Sequence, residues 1–260
     1  MTDLDDFWPP SAAIAPRRGE SDRTRHRRRS KTLSRDEIVQ GALALADAEG
    51  AGAVNMRRID QELGVSPMSL YWHVTDKDQL LDLMLDAVEK EGGITDLSGD
   101  WKADFRRIGR QRRRVLLDHP WVLDFVSGRT PFGPNALLQI ERSLSVFDGF
   151  DLANRTALQI LMTIDAYVSG SVLNEIRESR VEETQARAGL DDTDFAAAMS
   201  AWRDRLNNSG QFARILRVFE EGIDPDAAET RDERFEFGLD CVLDGVAARL
   251  LGIRERSVPR

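Results

Sequence analysis

The sequence predicts an all-α protein, and three observations carry that prediction. Apolar residues recur at the i, i+3, i+4, i+7 spacing of a helix face through most of the chain after residue 33. Almost no segment alternates apolar and polar residues as a half-buried strand does. Capping residues and glycine turns separate the periodic segments from one another, as helix starts and stops would.

The first two helices are bounded by recognisable start and stop signals. Ser34 and Glu37 have the S-x-x-E spacing that satisfies free N–H groups at a helix start, so a helix is expected to begin at Ser34. The glycine turn at residues 50–52 ends it. A short second helix is expected over residues 56–63, because Gly64 then breaks the chain.

Two further helices complete this first unit. Ser66-Pro67 is a capping serine followed by proline at the first helical position, which predicts a helix over residues 67–73. Thr75, with Asp78 three residues on, predicts a fourth helix that ends at the glycines of residues 92–93. The residues expected to face the core are Ile38, Ala42, Leu45, Ala46, Ile59, Leu63, Leu70, Val74, Leu81, Met84, Leu85 and Val88.

The remainder of the chain is expected to be helical as well. Helices are predicted over residues 100–118, 120–127, 134–148, 151–180, 193–207, 210–221 and 229–251. The weak periodicity from Arg180 to Asp194 predicts a loop. The chain therefore divides into an arginine-rich, disordered leader (residues 1–33), a unit of short helices (34–92) and a larger helical domain (93–254).

Two of the long helices carry strips of small residues. Such strips let helices approach closely, so the two could pair in a four-helix bundle, within one chain or between two chains. The strips are Thr163, Ala166 and Gly170 on one helix and Gly238, Cys241, Gly245 and Ala248 on the other. The second strip lies beside a larger apolar stripe of Phe235, Leu239, Val242, Val246 and Leu250. The spacing fits both arrangements equally.

Three short helices with a glycine turn between the second and third describe a helix-turn-helix, whose third helix lies in the DNA major groove. The candidate contacts are Ser66, Ser69, Tyr71 and His73 as hydrogen-bonding groups, Met68 against a thymine methyl group, Trp72 near the backbone, and Arg57 and Lys77 as flanking charges. No carboxylate occurs from Gly64 to Thr75 to repel phosphate. Two alternatives stay open: the aromatic residues could seal a small core, and the flanking charges could simply be solvated.

The charge distribution gives mixed support for DNA binding. Residues 1–35 hold nine Arg and Lys against five Asp and Glu, a net charge of +4. The remaining residues carry a net charge of −13, which gives −9 for the whole chain. A basic leader favours an anionic partner, although a solvated, disordered tail has the same composition. Residues 31–91 hold six basic and twelve acidic residues, whereas a DNA-binding domain is expected to be basic. Five of those acids lie from Asp78 onward.

Several classes of site are not expected. The single Cys241 excludes an intrachain disulfide, and the three histidines lack zinc-ligand spacing, so no metal is predicted. A phosphate-binding loop, a dinucleotide fingerprint and an H-E-x-x-H motif are all missing from the sequence, which argues against an enzyme and against a cofactor. Asp165 interrupts the longest apolar run, so a cytoplasmic protein without a membrane partner is expected.

The segment LGVSPMSLYWHV at residues 63–74, followed by Asp76-Lys77, is the most specific motif in the chain. It resembles the N-terminal domain of the TetR (tetracycline-repressor) family of bacterial regulators, as do residues 34–91 as a whole. Later features, including Trp101, residues 128–131 and Gly149-Phe150, are similar to the C-terminal domain of the tetracycline repressors. The resemblance covers about residues 34–251 and leaves the leader outside it.

The resemblance implies a homodimer that binds a palindromic operator and releases it when a small molecule enters the C-terminal domain. It places the DNA contacts on Arg57, Pro67, Met68, Tyr71, Trp72, His73 and Lys77, and the dimer bundle on the two helices with small strips. It places the effector pocket on Ile108, Arg112, Val126, Arg129, Pro131, Leu138, Met162 and Tyr167. Tetracycline-binding members have a histidine and an asparagine where this chain has Val126 and Ile108, so a small, largely apolar effector is expected in place of a drug–magnesium complex.

Alternatives to the repressor remain at this point. One is a helical sensor or partner-binding module without operator binding, for which the acidic first unit is the best argument. Another is an activator of the same family, since the position of the operator decides between activation and repression. In either regulator the helix from Asp76 to Glu91 is expected to transmit effector binding, because it joins the two domains.

Overall fold

The computed structural model describes residues 33–93, 96–125, 133–188, 192–221 and 228–257, and the regular structure of those residues is helical throughout. This confirms the predicted all-α class. The α-helices are α1 (Arg35–Glu49), α2 (Met56–Leu63), α3 (Pro67–Tyr71), α4 (Lys77–Glu91), α5 (Trp101–Asp118), α6 (Pro134–Ser145), α7 (Asn154–Ala188), α8 (Asp192–Ser209), α9 (Ala213–Glu220) and α10 (Arg231–Ser257). Short 3₁₀ segments cover Ala51–Ala53, Pro120–Asp124 and Ala228–Thr230. The predicted disorder of the leader concerns residues outside the described part of the chain.

Helices α1 to α4 form a small unit, called the head below. The predicted capping box of α1 is present: the Ser34 hydroxyl accepts from Glu37 N, and the Glu37 carboxylate accepts from Ser34 N at 3.0 Å. Gly64 ends α2 with a φ of 63°, a left-handed conformation that glycine adopts without strain. Of the predicted inward-facing residues all are buried except Leu63, which is partly buried against the same core.

The start of α4 differs from the prediction by one residue. Asp76, and not Thr75, is the N-cap, because its Oδ1 accepts from Gln79 N at 2.8 Å. The Gln79 side chain in turn accepts from Thr75 N at 2.7 Å. A glutamine three residues after the cap is long enough to reach back to the backbone, whereas the predicted partner Asp78 has a shorter side chain.

Two predictions in the larger domain are wrong. The loop expected from Arg180 to Asp194 is helical over residues 181–188, because α7 continues to Ala188. Residues 181–188 are rich in Glu, Gln, Ala and Arg, which favour a helix even where apolar periodicity is weak. The helix expected over residues 120–127 is a 3₁₀ segment that ends at Asp124.

Helix α5 packs against both α7 and α10 and contributes the central core residues Phe105 and Leu116, which are fully buried. The predicted apolar stripe of α10 included Val242, but Val242 is only partly buried. Its neighbour Leu243 is buried instead. Charged residues outside this core connect α5 to α10. The pairs run along both helices, as Lys102–Asp244, Arg106–Asp240 at 2.7 Å and Arg110–Glu236 at 2.6 Å.

Helix α7 is apolar on two faces. Ile164, Val168 and Val172 are buried in the core, whereas Leu158 and Met162 lie on the opposite, exposed side. In the described part of the chain, residues 154–184 of α7 are the one helical stretch long and apolar enough to cross a membrane by length and composition, and a third of its most apolar window is buried. A core helix of a soluble protein has the same character, and α7 packs against α5 and α10.

Candidate nucleic-acid interface

Helix α3 is held by a few apolar residues and presents the others to solvent. Ser66 caps it by accepting from Ser69 N, and Pro67 occupies the first helical turn. Leu70 and Val74 are buried, with exposed fractions of 0% and 1%, as the sequence predicted. They anchor α3 in the hydrophobic core of the head, where it packs against α2, so its remaining faces point outward.

The predicted DNA contacts lie on these outward faces. Trp72, Met68 and Tyr71 have exposed fractions of 76%, 70% and 53%, so the alternative of aromatic residues sealing a core does not hold for Tyr71 and Trp72. Arg57, Ser66, Pro67 and Lys77 are also exposed, and Ser69 and His73 are half-buried. A groove between α2 and α3, lined by Arg57, Pro67 and Tyr71 among others, continues this surface. Large exposed aromatic residues on a short helix without carboxylates suit contact with bases and the sugar–phosphate backbone.

Four acidic residues of the head face the larger domain, whereas Asp60 of α2 lines the groove beside α3. Asp86, Glu89 and Glu91 of α4 contact α6, Arg112 and His119 of the larger domain. Asp47 of α1 also pairs with His119. Three of these carboxylates lie beside a basic side chain of the larger domain, and α3 itself carries no acidic residue.

Asp86 joins α4 to the start of α6. Its carboxylate accepts from the backbone N of Asn135 at 2.9 Å, from the backbone N of Ala136 at 3.1 Å and from Asn135 Nδ2 at 2.8 Å. A Cβ on Gly133 would overlap the Asp86 side chain, so the close approach requires glycine. Burial raises the pKa of Asp86 above its ordinary value despite these hydrogen bonds. A side chain of the head therefore caps a helix of the larger domain.

Arg112 of α5 forms a second connection. Its Nη1 donates to Glu89 Oε1 of α4 at 2.7 Å, and its Nε lies 3.4 Å from Asp165 Oδ1 of α7. That Nε is buried and donates no hydrogen bond to the described residues. Burial lowers the pKa of Arg112, but Glu89 and Asp165 outweigh it and raise the pKa.

The described residues include only part of the predicted effector pocket. Ile108, Arg112, Leu138 and Tyr167 are each partly buried. Tyr167 donates to the Phe235 carbonyl at 2.7 Å. Met162 is 62% exposed on the outer face of α7, because its position places it beside Thr163 and Ala166 and away from the core stripe, so it does not line the interior. Val126, Arg129 and Pro131 lie outside the described residues.

The small-residue strips are mostly on the surface of the single chain. Thr163, Ala166 and Gly170 of α7 are exposed, and so are Cys241, Gly245 and Ala248 of α10. A Cβ added at Gly170 or Gly245 would meet no other atom within 4 Å. Gly238 is different, because a Cβ there would overlap the Tyr167 ring. Gly238 therefore serves the packing of α7 against α10 within one chain, contrary to the prediction that the whole strip lies in a dimer interface.

Two family models match the chain. Residues 38–84 match the model of bacterial regulatory proteins of the tetR family, and residues 95–250 match the tetracyclin repressor-like C-terminal domain. The chain belongs to the TetR family. TetR-family proteins bind operator DNA and small-molecule ligands, and this chain is a ligand-responsive transcriptional repressor of that type.

Individual TetR-family relatives match over most of their length. The transcriptional repressor DrrR1 of Streptomyces coeruleorubidus is 32% identical, over 88% of this chain and 82% of that protein. The class A tetracycline repressor from transposon 1721 of Escherichia coli is 25% identical, over 88% and 97%. ActR of Streptomyces coelicolor, solved in complex with actinorhodin, superposes with a TM-score of 0.63 at 28% identity, over 84% and 98%.

The residues that connect the head to the effector domain were missed at the sequence level. The sequence shows Asp86 and Glu89 only among the five acids from Asp78 onward, and His119 only among three histidines that lack zinc-ligand spacing. One signal was present: these acids lie three residues apart beside the apolar stripe of α4, where a helix contacts its neighbours. Their partners on α5 and α6 have no local signature, because they come from segments more than 20 residues away.

Proposed function

We propose that this TetR-family protein binds a palindromic operator as a homodimer and is released from it by a small, largely apolar effector. In this scheme residues 34–92 form the DNA-binding domain and residues 93–254 the effector-binding and dimerisation domain. The protein acts in the cytoplasm, as its soluble relatives suggest, and needs no cofactor or catalytic residue. The outward presentation of Met68, Tyr71 and Trp72 on a capped helix-turn-helix is the observation that carries the proposal.

Operator reading is assigned to α3 and its flanks. Tyr71 and Met68 are placed to meet base edges, with Ser66, Ser69 and His73 as further hydrogen-bonding groups. Arg57 and Lys77 are exposed on either side of α3 in the chain, where they suit phosphate contacts. The segment 64–75 contains no carboxylate, so α3 itself carries no acidic side chain that would repel phosphate, and Asp60 of α2 is the acidic residue that lines the adjoining groove.

Dimerisation is supported by the apolar face that the single chain leaves uncovered. Leu158, Met162 and Leu173 of α7 and Phe237 of α10 are exposed large hydrophobic residues, and Phe237 is 72% exposed. The small residues Gly170 and Gly245 lie on the same helices with open space above them. A second copy of the chain, related by a two-fold axis, would cover these side chains and build a four-helix bundle.

The effector is assigned to the space around Ile108, Arg112, Leu138 and Tyr167, with the predicted Val126, Arg129 and Pro131 as further candidates. The partly buried guanidinium of Arg112 suits one acceptor oxygen on an otherwise apolar molecule. ActR, at 28% identity, was solved with actinorhodin and with (S)-DNPA, which supports small organic molecules as the effector class. Because Arg112 holds Glu89, an effector that competes for its guanidinium would loosen α4.

Release follows if the effector and the operator favour different positions of the two heads. In a two-fold dimer the α3 helices must reach successive major grooves about 34 Å apart, so a small rotation of each head is enough to weaken binding. Helix α4 is the expected transmitter, because Asp86, Glu89 and Glu91 all contact the effector domain.

The test is binding of the purified protein to DNA from upstream of its own gene at two salt concentrations. We expect specific binding that weakens with salt, as phosphate contacts require. Tyr71→Ala and His73→Ala should each weaken it about 10- to 100-fold, since each removes a candidate base contact. Leu97→Ala, which shortens an exposed apolar side chain outside the head, is the control and should bind as the wild type does.

A folded dimer that shows no specific binding at either salt concentration would contradict operator binding and favour a sensor or partner-binding module. Equal binding by the wild type and the two α3 variants would contradict the assignment of the reading surface alone.

A further inference from the structure

His119 lies at the junction between the head and the effector domain. It follows the last residue of α5 and is 7% exposed. Its Nδ1 is 2.7 Å from Asp47 Oδ1 of α1, and its Nε2 is 3.1 Å from Glu91 Oε2 of α4. Both nitrogens of one buried ring on the effector domain therefore face carboxylates of the head.

This arrangement requires a particular protonation state. Ionised carboxylates only accept hydrogen bonds, and a neutral imidazole carries one N–H, so it can donate to Asp47 or to Glu91 but not to both. The imidazolium form donates to both. The Asp47 oxygen is held in place by a second donor, Trp121 Nε1 at 2.8 Å, so it stays aimed at the ring.

The surrounding charges favour the same form. Asp47 faces the ring from α1 and Glu91 faces it from α4. On its own segment, His119 follows the exposed Asp118, and the neutral Trp121 two residues on has its ring edge-on at 6.3 Å. Burial lowers the pKa of His119, but the hydrogen bonds and charges of Asp47 and Glu91 outweigh burial and raise the pKa above its ordinary value.

We propose that His119 is a proton-dependent positioning residue that holds the head on the effector domain, so that operator affinity falls as His119 loses its proton. The inference rests on the proposed operator binding and adds a second input to it, separate from the effector. A head held by two charge-assisted hydrogen bonds loses less conformational freedom when DNA fixes its position. Loss of one hydrogen bond on deprotonation frees α1 or α4 to move.

The direction of the pH dependence follows from the raised pKa. The stabilisation is fully present below the pKa of a free imidazole, about 6.5, and is lost as the pH rises through the pKa of the folded protein. Both the melting temperature of the protein and its operator affinity should therefore fall over this window.

The experiment measures operator affinity and melting temperature from about pH 6 to about pH 9, the range that brackets histidine titration. The chain has two other histidines, His26 and His73, so each histidine is changed to glutamine in turn. The wild type is expected to lose up to about tenfold in affinity, the equivalent of one charge-assisted hydrogen bond. His119→Gln should flatten both profiles, whereas His26→Gln and His73→Gln should keep the wild-type slope in melting temperature.

Glu91→Gln provides a second variant, since Glu91 is about half exposed and its replacement is expected to leave the fold intact. Removing one carboxylate lowers the pKa of His119, so the midpoint of both profiles should move to lower pH. A His119→Gln profile parallel to that of the wild type, or an unmoved midpoint in Glu91→Gln, would overturn the proposal. Failure to bind any operator would overturn the proposed function instead, and the melting profile would still report on His119.

Discussion

Gly170→Glu is expected to convert the protein to a monomer and to lower specific operator affinity by about 1,000-fold, because a lone head loses the second half-site. Gly170 lies on the exposed face of α7 beside Thr163 and Ala166, with nothing within 4 Å of an added Cβ in its own chain. The substitution therefore meets no obstacle within one chain. Across a two-fold axis it would place two carboxylates against an apolar bundle and close to each other.

The helix itself should tolerate this change. Glycine is a poor helix former, and replacing it inside α7 should favour the helix by up to about 1 kcal/mol. Loss of operator binding would then come from the interface and not from a misfolded chain. Sedimentation velocity measures the oligomeric state, and circular dichroism checks that the helix content is kept.

Gly170→Ala is the matched control. A methyl group adds little bulk to the strip of small residues, so this variant should remain a dimer with operator affinity within a few-fold of the wild type. A dimeric Gly170→Glu protein would show that this face of α7 is not the interface. A monomeric Gly170→Glu protein with unchanged operator affinity would show that the reading surface does not depend on two copies.

The fold was predictable from the sequence wherever the signal was local. The caps Ser34 and Ser66 and the glycine at 64 mark helix ends through contacts within four residues, and each is present in the structure. The α4 cap was displaced by one residue because Asp76 and Thr75 can both cap a helix, and the choice depends on Gln79. The extension of α7 beyond Arg180 depends on helix propensity without apolar periodicity, which the periodic pattern could not reveal.

The candidate site divides in the same way. The exposure of Tyr71 and Trp72 followed from the spacing that buries Leu70 and Val74. The division of the small strips did not, since Gly238 is covered by Tyr167 and Gly245 is not, and that difference is set by the three-dimensional packing of α7 against α10. The acidic character of the head was also misleading, because net charge does not show that Asp86 and Glu89 face the effector domain.

Helix α4 is therefore the element on which the two domains depend, and Asp86 is its most buried polar contact. Asp86→Ala is expected to destabilise the protein by about 2–4 kcal/mol, because it leaves the backbone N–H groups of Asn135 and Ala136 without an acceptor and removes the cap of α6. Chemical unfolding measures the loss. The same variant should respond less to any effector, since α6 would no longer be tied to the head.

Asp86→Asn separates the two roles of this side chain. Asparagine keeps one acceptor oxygen for the backbone N–H groups but places its amide against the Asn135 amide, so the loss of stability should be smaller than in Asp86→Ala.

Gly133→Ala is the complementary test: it keeps the carboxylate and forces α4 and α6 apart, because its Cβ would overlap the Asp86 side chain. Asp86→Asn and Gly133→Ala disturb the same contact. The double variant should therefore lose less stability than the sum of the two single losses. Additive losses would mean that Asp86 and α6 are not coupled, and that effector binding must reach the head through Glu89 or His119 instead.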